Sequence, residues 1–177
     1  MRLSADEGQR RVVVAESFEG APALAAGIDR GTEILAIGTS TANLRTVDSI
    51  IAAQGLAGVT EALGPSTVGT ARVLRVGGTG GNRDVTVAKT DFTLPPVSSR
   101  YGARILDDGG RRVGYVNLRT FIETADPALR GAFQQFREAG VTDIIVDLRY
   151  NGGGLVSIAE LMSDLLGRDR ASTDVQN

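Results

Sequence analysis

The feature that most constrains the fold is an apolar strand that runs into three consecutive glycines and then into an apolar helix. This stretch, DIIVDLRYNGGGLVSIAELM, spans residues 143–162. Glycine loses more conformational freedom on folding than any other residue, so a run of three indicates that the backbone itself is needed at this junction. A buried strand followed by a helix predicts an α/β unit. The backbone N–H groups at the start of that helix would form a site for an anion.

Three interpretations of the glycine run are open. A phosphate-binding P-loop carries a lysine and a serine or threonine after the glycines, whereas Leu155 and Val156 follow here, so this interpretation fails. The N–H groups would alternatively stabilise an oxyanion that forms during acyl transfer. The third interpretation is a tight turn that binds nothing, because glycine-rich turns are common.

Composition excludes several classes of site. The chain has no histidine and no cysteine, which rules out a Ser/His/Asp triad, a Cys/His dyad and a histidine-ligated zinc within it. No metal or other cofactor is expected. The 19 basic and 21 acidic residues are spread without blocks, so no nucleic-acid partner is predicted. No apolar run is long enough to span a membrane.

Hydrophobic periodicity and turn residues predict two domains. In residues 1–92 the patterns predict a small barrel-like β unit with one or two helices. Its predicted strands are residues 11–17, 32–38, 71–76 and 84–89, and its predicted helices are residues 20–28, 46–54 and a turn or two at 58–64. Two prolines that cannot join a central strand place a linker at residues 93–100.

Residues 101–177 are predicted to form the α/β unit. Two strands at residues 101–108 and 111–118 precede a helix with Asp126 as N-cap and Pro127 in its first turn, which ends at Gly140. The apolar run at residues 144–146 is typical of a strand buried on both faces. The last helix, residues 155–166, is predicted to bury one face: Leu155, Ile158, Ala159, Met162 and Leu166.

Two motifs in this order resemble the C-terminal processing, or tail-specific, serine peptidases. VGYVNLRTF (113–121), followed by IIVDLRYNGGGLVSIAELMSDLL (144–166), looks like their protease core, and VVVAESFEGAPALAAGIDRGTEILAIG (12–38) is similar to their PDZ domain. The resemblance implies an α+β PDZ-like domain over residues 1–92. It further implies that residues 101–177 are the first part of an incomplete α/β core of the ClpP and crotonase type.

The resemblance also implies roles for the glycine loop. In these peptidases a serine with a lysine base attacks the peptide bond, and Gly153 or Gly154 would supply one N–H of the oxyanion hole. Asp147, Arg149 and Asn151 would support the loop, although for Arg149 an ion pair with Asp147 or another carboxylate is an equal alternative to substrate contact.

The nucleophile and its base are expected outside this chain. The only lysine in the sequence is Lys89, which is interpreted as a solvated surface charge at the end of a strand. The family's serine and lysine follow the glycine-loop helix, which here means beyond Asn177. We therefore expect the chain to be a fragment that is inactive by itself.

The resemblance implies that the PDZ-like domain binds an extended peptide as an added strand. Arg2, Leu3 and Ser4 would form the receiving strand, with the carboxylate loop at or before Met1 and therefore truncated. Val47, Ile50 and Ile51 would form the other wall of the groove, although burial in the core is the stronger alternative for these three. The sequence departs from the family pattern in the long segment at residues 52–70 and in Glu33, where the family favours aspartate.

Two functions follow. The first is a serine endopeptidase that acts on proteins or peptides with free C-termini, in a periplasmic or otherwise extracytoplasmic location. The second is a non-catalytic PDZ-containing protein that binds a peptide or another ligand, because a fold does not dictate its chemistry.

Overall fold

The computed structural model describes residues 1–78 and 80–167, and it divides the chain into two compact units. The first is Met1–Leu94 and the second is Pro95–Asn177. Each unit has its own hydrophobic core.

The first unit is built on a six-stranded antiparallel sheet. Its strands are β1 (Arg2–Asp6), β2 (Arg11–Glu16), β3 (Glu33–Gly38), β4 (Arg45–Thr46), β5 (Ala71–Gly77) and β6 (Arg83–Ala88). They lie in the order β1-β2-β3-β5-β6, and β4 pairs with β3. Its helices are α1 (Pro22–Ala25), a short 3₁₀ helix (Thr41–Asn43) and α2 (Val47–Leu63). Glu33, the departure from the family pattern, forms a two-pronged ion pair with Arg11 of the adjacent strand at 2.8 and 2.9 Å.

Helix α2 joins the two helical segments that the sequence predicts separately. Thr46 caps its start by accepting a hydrogen bond from the Ser49 N–H at 3.2 Å. Gly55 has a non-helical backbone, with φ 62° and ψ −162°, which only glycine adopts readily. The kink at Gly55 therefore separates the two predicted segments.

The second unit is a three-stranded sheet with two helices. Its elements are β7 (Arg104–Asp108), β8 (Arg111–Asn117), α3 (Ala125–Glu138), β9 (Asp143–Asp147) and α4 (Val156–Leu166). The strands lie in the order β7-β8-β9, with β7 antiparallel and β9 parallel to β8. Parallel neighbours need a crossover connection, which α3 supplies. The predicted core residues of α3, namely Leu129, Ala132, Phe133 and Phe136, are all buried.

The N-terminal cap of α3 was predicted wrongly. The helix begins at Ala125 with Thr124 in the cap position, so Asp126 lies within the first turn. Its carboxylate pairs with Arg130 one turn later at 2.8 Å, which leaves it no role as a cap.

Two burial predictions in the second unit were also wrong. Ile145 is 49% exposed, because alternate residues of a strand point to opposite faces and the described helices cover only one face of β9. In α4 the buried residues are Ile158, Leu161 and Met162, whereas the predicted Leu155, Ala159 and Leu166 are exposed. Leu155 lies outside the helix as its N-cap, and the buried residues Ile158, Leu161 and Met162 follow the i, i+3, i+4 spacing of one helix face.

Part of the stretch predicted as a linker belongs to the second unit and contacts its other residues. The Pro96 carbonyl accepts a hydrogen bond from the Arg119 N–H at 2.8 Å, and the Pro95 carbonyl accepts one from Arg119 Nη1 at 3.0 Å. Val97 forms a β-bridge with Leu118. These residues therefore support the segment that follows β8.

Candidate functional site

The glycine loop, residues 148–155, connects β9 to α4 and runs beside the segment that follows β8. The Leu118 N–H and Asn117 Nδ2 both donate to the Asp147 carbonyl, each at 3.1 Å. Asn151 Nδ2 donates to the Leu118 carbonyl at 2.9 Å. The loop is thus fixed at its first half by main-chain and amide hydrogen bonds.

The Asp147 carboxylate anchors the start of the loop. It is buried and accepts hydrogen bonds from the Tyr115 hydroxyl at 2.6 Å, the Arg149 N–H at 2.9 Å, and Arg149 Nε and Nη2 at 2.9 and 2.6 Å. The hydrogen bonds from Arg149, helped by Tyr115, hold the pKa of Asp147 far below its usual range, although burial opposes them. Asp147 is therefore a fixed anion and is unsuited to exchanging protons as a general base near neutral pH.

Arg149 forms the ion pair that the sequence left as an alternative to substrate contact. The hydrogen bonds to Asp147 raise the pKa of its guanidinium, while the side chain remains 73% exposed. The Arg149 guanidinium therefore links the loop to Asp147, the last residue of β9.

Tyr115 belongs to the same cluster, and sequence reasoning missed it. Burial is the main cause that raises the pKa of its hydroxyl, and the hydrogen bond to Asp147 is the second. The signal was present in the register, because β8 and β9 pair Asn117 with Asp147 and place Tyr115 two residues before Asn117 on the same face.

The two candidate oxyanion donors differ in their hydrogen bonds. The Gly153 N–H donates to Asn151 Oδ1 at 2.8 Å, so it is already used inside the loop. The Gly153 carbonyl accepts from the Phe121 N–H at 3.0 Å and from the Thr120 hydroxyl at 3.2 Å. Within the described part of the chain, the Gly154 N–H has no hydrogen-bond acceptor.

The direction of the Gly154 N–H follows from peptide geometry. In a trans peptide bond the N–H points opposite to the carbonyl before it, and the chain has no cis peptide among its described residues. Because the Gly153 carbonyl points at Thr120 and Phe121, the Gly154 N–H points away from them. It lies just before the N-cap of α4, where the positive end of the helix dipole favours an anion.

The two glycines are required for different reasons. A Cβ on Gly154 would lie 2.1 Å from the Phe121 carbonyl oxygen, so no side chain fits there. A Cβ on Gly153 would meet nothing within 4 Å, but its φ of +98° is unfavourable for other residues. Gly152 has neither restriction.

The predicted groove residues of the first unit are placed differently from one another. Val47, Ile50 and Ile51 are at most 5% exposed and belong to the hydrophobic core, as the stronger alternative predicted. Leu3 of β1 is partly buried.

Leu3 lines a cavity of about 410 Å³ in the first unit. Its other lining residues are Met1, Ala23, Leu63, Ser66, Thr70, Arg72, Leu74, Val87, Lys89, Thr90 and Phe92. The lining is thus largely apolar, and its charged members are cations only.

Both cations of this lining bind the C-terminal end of α2. Lys89 Nζ donates to the Gly64 and Pro65 carbonyls at 2.6 and 2.7 Å, and Arg72 Nε donates to the Ala62 carbonyl at 2.7 Å. Lys89, interpreted from the sequence as a solvated surface charge, is partly exposed and in addition donates to carbonyls at a helix end.

Residues 112–177 match the model of peptidase family S41. The second unit belongs to this family. Among curated proteins, the chain is 35% identical over 161 residues to carboxyl-terminal-processing peptidase 3, chloroplastic, of Arabidopsis thaliana, covering 86% of this chain and 30% of that protein. It is 31% identical over 150 residues to a carboxyl-terminal-processing protease of Picosynechococcus, covering 82% and 33%. The chain thus spans about a third of the length of these relatives.

Solved structures agree with the S41 assignment. A photosystem II D1 C-terminal processing protease matches with a TM-score of 0.53 and 26% identity, over 92% of this chain and 42% of that protein. A putative S41 protease from Bacteroides fragilis matches with a TM-score of 0.59 and 25% identity, over 86% and 39%. These likenesses support the S41 family fold.

None of the described helices is long and apolar enough to cross a membrane. The described residues contain no group of three or more acidic side chains that would hold a metal ion.

Proposed function

We propose that these residues are part of a serine endopeptidase of the C-terminal processing type, whose serine nucleophile and lysine base lie beyond Asn177. The support is the S41 match together with relatives named as C-terminal processing peptidases, of which the chain spans about a third. The only lysine in the chain is engaged at the end of α2. On this proposal the chain alone is inactive.

One observation carries the proposal: the outward Gly154 N–H in front of α4. A backbone donor that is held rigidly and has no internal acceptor suits an oxyanion, which needs donors already in place when its charge develops. Gly153 is the weaker of the two candidates, because its N–H donates to Asn151. Asp147, Arg149 and Asn151 support the loop, and Tyr115 joins them.

The test begins with the reading frame after Asn177. We expect it to encode a serine in a small-residue motif and, further on, a lysine. The complete product should cleave a peptide substrate, and replacement of that serine by alanine should abolish cleavage. A frame without this pair, or a complete product whose cleavage is unaffected by the serine replacement, would contradict the peptidase proposal.

We further propose that the first unit is a PDZ-like domain that binds an extended peptide along β1. Strand β1 pairs only with β2 in the described sheet, so its outer edge is available for strand addition. Arg2, Leu3 and Ser4 lie on this strand, and Leu3 reaches the largely apolar cavity. The apolar side chain at a peptide's C-terminus would enter the cavity, and the cations of its lining would attract the carboxylate.

A titration of the chain with peptides tests this binding. A peptide with an apolar last residue and a free carboxylate should bind more tightly than its C-terminal amide. Thr90→Glu, at the exposed rim of the cavity, should weaken binding, whereas Thr41→Glu, an exposed threonine outside the lining, should not. Equal binding of acid and amide would contradict the carboxylate part of the proposal.

The second candidate function is a non-catalytic PDZ-containing binding protein. The cavity with its cationic lining favours it independently of the glycine loop. Peptide binding without any downstream serine and lysine would establish this alternative. An extracytoplasmic location remains part of the peptidase proposal and rests on the family resemblance.

A further inference from the structure

The segment after β8 holds the glycine loop through one carbonyl. The Gly153 carbonyl is the acceptor of two donors, the Phe121 N–H at 3.0 Å and the Thr120 hydroxyl at 3.2 Å. The Thr120 hydroxyl is the one side-chain donor to this carbonyl in the described part of the chain. Nothing in the resemblance or in the relatives' names assigns a role to Thr120.

Without its hydrogen bonds, the peptide bond between Gly153 and Gly154 would be free to rotate as a unit. Its rotation changes ψ of Gly153 and φ of Gly154, and neither residue has a Cβ to restrict these angles. Both residues already have positive φ values, +98° and +142°. Local backbone preference therefore does not select one orientation of this peptide, and its hydrogen bonds must do so.

A reversed peptide would destroy the candidate anion site. The Gly154 N–H would turn toward the Phe121 N–H, so two donors would face each other. The Gly153 carbonyl would turn outward, and its negative end would repel an oxyanion where the N–H would otherwise attract it. The two donors on the Gly153 carbonyl thus determine whether this surface attracts or repels negative charge.

We propose that Thr120 is a positioning residue that keeps the peptide between Gly153 and Gly154 in its donor orientation, an inference that rests on the oxyanion role proposed for Gly154. Phe121 contributes through its backbone and would keep its hydrogen bond in any side-chain variant. Thr120 contributes through a partly exposed hydroxyl whose removal leaves the hydrophobic core intact. It is therefore the position where the orientation is tested without disturbing the fold.

The structural test uses the 177-residue chain and two matched variants. Thr120→Val removes the hydroxyl at nearly constant shape, and Thr120→Ser retains it. Nuclear magnetic resonance relaxation dispersion should show new exchange at the Gly153, Gly154 and Leu155 amides in Thr120→Val, with none in the wild type or in Thr120→Ser. Unchanged dispersion in Thr120→Val would overturn the inference, whatever the activity shows. Thr120→Ala serves as the second hydroxyl-free variant if Thr120→Val unfolds.

The catalytic test uses the complete product of the reading frame. Loss of one hydrogen bond that holds the donor should lower kcat by about two- to tenfold in Thr120→Val, leave KM nearly unchanged, and be rescued in Thr120→Ser. Dispersion without any change in kcat would retain the positioning role but remove Gly154 from the oxyanion hole. An equal loss in Thr120→Ser would overturn the role of the hydroxyl.

Discussion

The C-terminal end of α2 and the N-terminal end of α4 are both helix ends next to glycine, and their backbone groups are treated differently. At α2, Arg72 and Lys89 donate to the last carbonyls. At α4, the helix has no side-chain cap and the Gly154 N–H before it has no acceptor in the described structure. Unmade backbone hydrogen bonds are costly when buried, whereas an exposed donor such as the Gly154 N–H is satisfied by water or by a ligand, which under the proposed function is the oxyanion.

The glycines at the two ends differ in the same sense. Gly64 has φ +72°, and a Cβ there would overlap the Arg72 guanidinium, so this glycine lets a cation approach the helix end. Gly154 lets the Phe121 carbonyl approach the loop and leaves its own N–H outward. Gly64 thus allows a cation to bind the end of α2, whereas Gly154 leaves a backbone donor exposed before α4.

The largest expected effect is the loss of turnover caused by Gly154→Ala in the complete product of the reading frame. The added Cβ would collide with the Phe121 carbonyl and displace the donor, so turnover should fall by about a hundredfold or more. Gly153→Ala, which is strained only by its φ, should lose less, and Gly152→Ala should behave as wild type. Steady-state kinetics on the three folded variants checks this order, and equal losses at all three glycines would contradict it.

The next largest expected effect is the loss of unfolding free energy caused by Asp147→Asn, measured by chemical denaturation of the chain. The substitution removes the charge and replaces one acceptor oxygen by an NH2 group that faces the Arg149 and Tyr115 donors, which should cost about 2–3 kcal/mol of unfolding free energy. Asp143→Asn at the other end of β9 is the matched control. Its pair with Arg111 is exposed on both sides, so it should cost about 0–1 kcal/mol. Similar costs for the two variants would contradict the anchoring role of Asp147.

The acid dependence of stability should follow from the same carboxylate. The pKa of the Asp147 carboxyl is depressed in the folded state. Its contribution to the unfolding free energy is therefore complete above its unfolded pKa of about 4 and is lost as the pH falls toward its folded pKa. Unfolding free energies of the wild type measured from neutral pH down to pH 2 should therefore decline more steeply than those of Asp147→Asn. Parallel curves would argue against a depressed pKa.

The smallest expected effect is a loss of stability at the C-terminal end of α2, where Lys89 donates to two carbonyls. Lys89→Gln removes a cation from two carbonyls while Arg72 remains on the Ala62 carbonyl, so the cost should be about 0.5–1.5 kcal/mol. Lys89→Arg, which keeps the charge, should recover most of it. Thermal unfolding measures both variants, and a destabilisation of Lys89→Arg equal to that of Lys89→Gln would show that charge is not what matters there.

The sequence predicted the glycine loop because its signal is local: a strand, three glycines and a helix. It left Gly153 and Gly154 undistinguished, because the difference depends on Asn151 and on the carbonyl contacts of Thr120 and Phe121 across about thirty residues of chain. Tyr115 was missed for the same reason. Side-chain hydrogen bonds between strands follow from register, which the pattern of apolar residues does not give by itself.

Burial was predicted well for the single apolar face of α3 and poorly for β9 and α4. The four core residues of α3 follow the helical period and are buried. Ile145 has the same apolar character as its neighbours, yet it is exposed, because hydrophobicity alone does not say how many faces of a sheet are covered. In α4 the exposed Val156, Ala159 and Leu166 are apolar as well, so periodicity alone does not single out the face of Ile158, Leu161 and Met162 that is buried.

Covalent modification of Lys89 offers a way to follow the contacts at the C-terminal end of α2. Lys89 is the only lysine side chain in the sequence, and its amine is held by two carbonyls. Contact with those carbonyls should slow acylation of this amine, so the rate of modification, resolved from that of the terminal amine by peptide mapping, reports how often the Lys89 side chain leaves them. A peptide bound in the cavity that Lys89 lines should slow that rate, so modification of this one residue would report occupancy of the cavity.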